Sequence, residues 1–134
     1  MENNKDIHAL ETIEEIVNYN NYTFKKISNY LIPGLGLDFG CGFGGFIKFI
    51  NKHQIYNFTG YEINDIVISN LERRSLPIIT SLLDISNTYD NVVSINVLEH
   101  IDNDIRELEE IHKVLKNKGK LILYLPNSEK LLKV

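Results

Sequence analysis

Short apolar runs alternate with amphipathic stretches along most of this chain, and this alternation limits the folds that are open to it. Five runs have the length and composition of buried strands, at residues 35–39, 58–63, 77–83, 91–97 and 121–125. Stretches with apolar residues at helical spacing separate them. Strands that alternate with helices form a parallel sheet with helices on both faces, because each parallel connection must cross over the sheet. We therefore predict an α/β, Rossmann-like fold with a doubly wound parallel sheet.

The first 33 residues have a different character, because they contain no strand-like run. Apolar residues recur at helical spacing from Leu10 to Leu31, and Pro33-Gly34 ends the segment. The polar cluster at residues 18–21 predicts a break between two helices. We predict that residues 1–33 form a helical cap or lid and that residues 34–134 form the ligand-binding core.

Composition excludes several classes of partner. The chain has 134 residues, a formal net charge of −4 and no basic run, so it lacks the electrostatic footprint of a nucleic-acid or membrane-surface protein. No apolar run approaches the ~20 residues of a membrane span, and the polar N-terminus does not resemble a signal peptide. The four histidines and the single cysteine have no metal-ligand spacing. We expect a cytoplasmic protein without a metal site.

Polar residues cluster where the first four predicted strands end. Ligands of parallel sheets bind beyond the carboxyl ends of the strands, so these positions are the candidates for chemistry. The residues in question are Asp38, Glu62, Asp84, Asn96, Leu98, Glu99 and His100.

A glycine cluster follows the first strand with the spacing Gly40-x-Gly42-x-x-Gly45. Glycines at such a turn permit positive φ and let the backbone approach a ligand closely. This spacing also matches the dinucleotide fingerprint, and Glu62 lies about where an acid would bind the ribose. A tight structural turn is the alternative reading of the cluster.

Asp38 separates the two nucleotide ligands that such a loop could bind. A pyrophosphate would be repelled by this carboxylate, and residues 38–46 contain no Lys or Arg to compensate. S-adenosylmethionine (SAM) has no phosphate and carries an ammonium and a sulfonium, so an acid at this position favours it. A purely structural role, in which Asp38 accepts hydrogen bonds from loop amides, stays open.

Five segments, in order, resemble the motifs of class I SAM-dependent methyltransferases. Residues 37–44 (LDFGCGFG) resemble motif I, and residues 60–63 (GYEI) and 83–85 (LDI) resemble the ribose and adenine motifs. Residues 96–101 (NVLEHI) resemble motif IV of the type 11 and type 12 branches, which act on small molecules and glycans. Residues 115–121 (LKNKGKL) resemble the turn before strand five, with Lys118 in place of a glycine.

The resemblance implies a strand order of 3-2-1-4-5 and a set of cofactor contacts. The glycine loop would contact the amino-acid part of SAM, Glu62 the ribose, and Asp84 the adenine, with Ile85 packed on its ring. Cys41 would be a small filler rather than a nucleophile. The residues placed at the cofactor are Asp38, Gly40, Cys41, Gly42, Gly44, Glu62, Ile63, Asp84, Ile85, Asn96 and Leu98.

His100 is the candidate catalytic residue. It would act as a general base on a hydroxyl or amine acceptor, with Glu99 orienting it. A packing role at the start of the next helix is the alternative. Many members of the family act largely by aligning the acceptor, so an essential base is not required.

The resemblance predicts methyl transfer from SAM to a small-molecule, sugar or lipid-linked glycan acceptor, with S-adenosylhomocysteine (SAH) as product. Two other functions stay open: a non-catalytic SAM-binding module or truncated remnant, and an NAD-dependent oxidoreductase. The family continues past strand five with a helix and a hairpin, which we expect to be absent here. An uncovered apolar strand at 121–125 predicts self-association or a partner chain at that edge.

Overall fold

A single five-stranded sheet, in which every strand pairs in parallel with its neighbours, organises the molecule. The structure, a computed structural model, describes residues 4–125, with side chains from Ile16 onward. The strand order is β3-β2-β1-β4-β5, which confirms the predicted fold and order. In chain order the elements are α1 (Asn4–Ser28), β1 (Gly34–Phe39), α2 (Gly45–Ile50), β2 (Tyr56–Tyr61), α3 (Asp65–Arg73), β3 (Ile78–Ile79), β4 (Tyr89–Ile95), a 3-10 turn (Leu98–His100), α4 (Asp104–Val114) and β5 (Leu115–Tyr124).

Helix α1 belongs to the same core as the sheet. Its residues Phe24 and Ile27 are buried against α2 and the centre of the sheet, and the ring of Phe24 meets that of Phe46 edge-on at 5.4 Å between centroids. The helix continues unbroken through residues 18–21, so the predicted break is wrong. Residues 17–19, 21 and 22 are exposed, so this stretch faces solvent, and the weak helix propensity of asparagine costs only a few tenths of a kcal/mol per residue. Burial of one phenylalanine outweighs it, at roughly 1.5–3 kcal/mol.

Helix α4 covers the opposite face of the sheet. Ile111 and Val114 are fully buried there against Leu37, Phe39 and Val92. The sheet is therefore covered on both faces, as the alternation of strands and helices predicted. A smaller cluster of Cys41, Ile47 and Leu71 joins α2 and α3 beside the carboxyl end of β1.

Strand ends differ from the sequence-based boundaries. Strand β3 contains only Ile78 and Ile79, rather than residues 77–83, because it pairs with β2 alone and then turns where the Ser81 hydroxyl accepts the N–H of Leu83. Strand β5 begins at Leu115 rather than at residue 121, so most of the segment 115–121, which resembles the turn before strand five, forms an irregular start of the strand. Lys118 has φ +65°, the conformation for which a glycine is usual.

No helix within residues 4–125 has the length and apolar character needed to cross a membrane.

Candidate active site

Two cavities lie at the carboxyl ends of β1, β2 and β4, and both are lined by Gly40 and Gly42. The first cavity has a volume of about 510 Å³ and lies on the β2 and β4 side. The second cavity has a volume of about 380 Å³ and lies beneath α1. The segment Gly40–Gly44, which we call the glycine loop, therefore borders both spaces.

Six of the residues predicted from sequence line the first cavity. They come from four separate parts of the chain, which the parallel sheet brings to one edge. The six are Gly40, Gly42, Glu62, Ile63, Asn96 and His100. Asp38 and Cys41 line the second cavity instead.

The glycine loop depends on backbone conformations that other residues adopt poorly. Gly40, Gly42 and Gly44 have φ values of +73°, +53° and +81°. A Cβ on Gly40 would lie 2.7 Å from Val97, whereas one on Gly42 would meet nothing within 4 Å. The N–H groups of Gly40 and Cys41 both donate to the carbonyl of Tyr61, at 2.9 and 3.0 Å, so β2 fixes the start of the loop.

Glu62 connects the glycine loop to the start of α3. Its Oε2 accepts the N–H of Gly42 at 3.0 Å, and its Oε1 accepts those of Ile63 and Asn64, both at 3.1 Å. The Asn64 side chain then caps α3 by accepting two N–H groups of its first turn. A carboxylate has about four acceptor sites, so Glu62 keeps capacity for a ligand in the first cavity.

Asp38 is a nearly uncompensated carboxylate at the end of β1. The residue is 2% exposed, and its side chain lies on the sheet face that α1 covers. Burial, and secondly the negative charge of Glu62, raises its pKa to about 7. In the described part of the chain neither a hydrogen-bond donor nor a positive charge offsets these two effects. A cation in the second cavity would relieve them.

Cys41 does not have the properties of a nucleophile. Burial, followed by the charges of Asp38 and Glu62, raises the pKa of its thiol to about 12. The thiolate, which is the reactive form, is therefore negligible at neutral pH. Its side chain packs against Ile47 and Leu71 and fills space beneath the loop.

Four predicted cofactor residues line neither cavity. Asp84 is exposed and has φ +66°, and Ile85 packs partly buried against the apolar core. Leu98 belongs to the same core, and Gly44 precedes α2 with a buried backbone. Their assignment to the cofactor stays a prediction.

His100 projects from the 3-10 turn after β4 and is an exposed polar residue of the first cavity. Its side chain is 78% exposed, and its Nε2 lies 3.5 Å from Oε1 of Glu99. Glu99 is only 10% exposed, and its other oxygen has no partner among the described residues. The neighbouring carboxylate can therefore orient the ring.

Arg74 was missed from the sequence. It follows α3, yet its Nη1 donates to the carbonyl of Phe43 in the glycine loop at 2.7 Å and to Oδ1 of Asn70 at 3.0 Å. It lines the second cavity with Asp38. Residues 38–46 contain no Lys or Arg, but the folded chain does bring a positive charge to the loop. The charge is the guanidinium of Arg74, which lies 31 residues beyond Phe43. No spacing rule connects the two positions.

Comparison with known proteins supports the family that the motifs indicated. A family model described as a methyltransferase domain matches residues 18–133. An uncharacterized protein of Methanocaldococcus jannaschii is 35% identical over 113 residues, which are 82% of this chain and 47% of that protein. The human mitochondrial arginine-hydroxylase NDUFAF5 is 34% identical over 94 residues, which are 66% of this chain and 27% of that protein. The chain thus spans less than half the length of either relative.

A solved structure shares the fold at lower identity. A SAM-dependent methyltransferase from Archaeoglobus fulgidus superposes with a TM-score of 0.67 at 21% identity, covering 81% of this chain and 53% of that one. The match of the family model over most of the chain, together with the parallel sheet and its glycine loop, shows that this chain belongs to the methyltransferase domain family.

Proposed function

We propose that this chain binds SAM across the two cavities and transfers its methyl group to a small-molecule, sugar or lipid-linked glycan acceptor. The observation that carries the proposal is Asp38, a buried carboxylate that makes no ion pair or hydrogen bond among the described residues. SAM carries an ammonium and a sulfonium, so it supplies a positive charge to pair with this carboxylate. A phosphate-bearing dinucleotide would add negative charge beside Asp38.

The residues present fit the parts of SAM. Glu62 would accept hydrogen bonds from the ribose hydroxyls in the first cavity, and Asp38 would face the ammonium in the second. Both volumes, about 510 and 380 Å³, lie within the range of small-molecule pockets. Gly42 borders both cavities and a Cβ there would meet nothing within 4 Å, so the space beside the loop at this position is free for a ligand.

Most of the catalysis would come from orientation. SAM supplies a methyl group on a sulfonium, which is already a good leaving group, so in-line displacement needs alignment and a dry site. His100 lines the first cavity, where it would remove the proton of a hydroxyl or amine acceptor. Glu99 would hold the ring in position for this step.

Titration of Glu62→Gln with SAM and SAH tests the cofactor assignment. Each hydrogen bond to a charged acceptor contributes about 1.5–3 kcal/mol before water recovers part of it, so we expect roughly 10- to 100-fold weaker binding. Glu72→Gln, an exposed position on α3, makes the same change of charge and should bind as the wild type does. NAD that binds the wild type more tightly than SAM, or unchanged affinity in Glu62→Gln, would contradict the proposal.

Replacement of His100 by Ala tests the chemical step. Release of SAH in the presence of hydroxylated small molecules and sugars should slow by roughly 10²–10⁴-fold, with SAM affinity unchanged. His112→Ala, on the exposed side of α4, is the matched control. Wild-type turnover in His100→Ala would remove the base from the mechanism. SAM binding without any transfer would favour a SAM-binding module that has no catalytic role.

A further inference from the structure

We infer that Arg74 binds the carboxylate of the ligand's amino-acid portion, so that the second cavity recognises a complete α-amino-acid head group between Arg74 and Asp38. The inference rests on the proposed function, because it assigns one more residue to the same SAM site. It concerns a residue from outside every motif that resembles the family.

Two elements hold Arg74 in place. Its backbone N–H bonds to carbonyls in the last turn of α3, and its Nη1 donates to the Phe43 carbonyl at 2.7 Å and to Oδ1 of Asn70 at 3.0 Å. These two bonds use both hydrogens of Nη1 and leave the hydrogens of Nη2 and Nε. The guanidinium is therefore fixed at the glycine loop with donors to spare.

The charge of Arg74 is not neutralised by a carboxylate within the described residues. The ion pairs of that part of the chain join other groups, and Arg74 is absent from the influences that set the pKa of Asp38. One cavity of about 380 Å³ is thus lined by an acid and a base that do not contact each other.

This arrangement matches the chemistry of an α-amino acid. Its ammonium and carboxylate are attached to one carbon, so a site that binds both presents an acid and a base separated by the width of the head group. Arginine is suited to bind the carboxylate, because its planar guanidinium can donate to both carboxylate oxygens. A ligand with the amine alone would satisfy Asp38 and leave Arg74 unpaired.

Arg74 also bonds to the loop carbonyl, so a role limited to holding the loop is the competing explanation. Two ligands separate the roles: SAH, and the decarboxylated analogue of SAH that keeps the amine, thioether and adenosine. A residue that only holds the loop affects both ligands equally. A residue that binds the carboxylate affects SAH alone.

The experiment is calorimetric titration of both ligands into wild type, Arg74→Gln, Arg74→Lys and Arg73→Gln. We expect the wild type to prefer SAH by at least about tenfold, and Arg74→Gln to lose most of this preference through weaker SAH binding alone. Arg74→Lys keeps the charge but not the planar guanidinium, so its preference for SAH should lie between those of the wild type and Arg74→Gln. Arg73→Gln removes the neighbouring charge at the same helix end and should match the wild type.

Equal weakening of both ligands in Arg74→Gln, or no weakening of either, would overturn the inference and leave the SAM site in place. Failure of SAH to bind the wild type would overturn the proposed function and the inference with it. Thermal unfolding of each variant checks that the protein is folded, so that a change in affinity does not reflect loss of the fold.

Discussion

Asp38 shows how a residue proposed to bind the ligand can oppose the stability of the free protein. Folding transfers its carboxylate from water to a site where burial and Glu62 both disfavour the charge, and its pKa rises to about 7. The unfolded pKa of an aspartate is about 3.9, so between these values the folded state holds a proton that the unfolded state has released. Stability contributed by this group therefore falls as pH rises from about 4 to 7.

Asp38→Asn should stabilise the free protein at alkaline pH, since the amide has no charge to bury. We expect a gain that is absent near pH 4 and grows to at most on the order of 4 kcal/mol at pH 8. Denaturant unfolding at both pH values measures it. Asp90→Asn is a contrasting control, because the N–H of Leu35 and secondly Lys116 lower the pKa of Asp90, and its loss should destabilise at pH 8. An Asp38→Asn protein with wild-type stability at pH 8 would contradict this account.

At the scale of elements, one side chain connects the end of the helical segment to the centre of the sheet. Asn91 of β4 is fully buried, and its amide donates to the carbonyl of Ile32 at 2.7 Å while accepting the N–H of Ile32 at 3.0 Å. This pair of bonds replaces the strand partner that Ile32 lacks just before β1. It thereby sets the position at which the chain leaves α1 and enters the sheet.

Asn91→Ala should therefore be strongly destabilising, by about 2–4 kcal/mol, because it leaves two partly buried backbone groups of Ile32 without partners and removes a fully buried side chain. Asn91→Asp is the sharper variant, since it keeps the shape but can no longer donate to the Ile32 carbonyl. Asn117→Ala, at an exposed position of β5, is the control. Denaturant midpoints measure all three, and an Asn91→Asp protein as stable as the wild type would show that the donated bond contributes nothing.

At the scale of the whole molecule, the free edge of β5 is the feature with the clearest consequence. In the described residues β5 pairs only with β4, and Leu123 is 40% exposed on it. A cavity of about 510 Å³, lined by Tyr30 and Lys120–Leu123, runs along this strand. An edge with unpaired backbone groups and apolar side chains is a template for pairing with another strand.

We predict that two copies of this chain pair through β5. Light scattering across a concentration series should show the mass rising toward that of a dimer, and Leu123→Lys should suppress the rise, because a charge on an edge strand disfavours pairing. Leu83→Lys makes the same change at an exposed leucine away from β5. A strict monomer at every concentration would exclude this pairing.

The alternation of strands and helices and the glycine loop could be predicted from sequence, because each has a local cause. The sheet order was predicted through the resemblance to the methyltransferase family. Residues 35–39 and 91–97 are mainly apolar, as strands covered on both faces usually are, and glycines mark the turn where φ is positive. The sequence also predicts that Glu62 and Asp38 lie at the site, because both stand at the ends of predicted strands and parallel strands end at one edge of the sheet.

Only the tertiary structure decided the features that depend on contacts distant in sequence. Three such features arise from groups that the sheet and helices bring together. They are the hydrogen bond from Arg74 to Phe43, the hydrogen bonds between Asn91 and Ile32, and the raised pKa of Asp38. Strand β3 is short because its partner extends no further, and α1 is unbroken because Phe24 and Ile27 are buried. Local sequence sets backbone preferences of tenths of a kcal/mol per residue, whereas packing and burial contribute more than that at each such site.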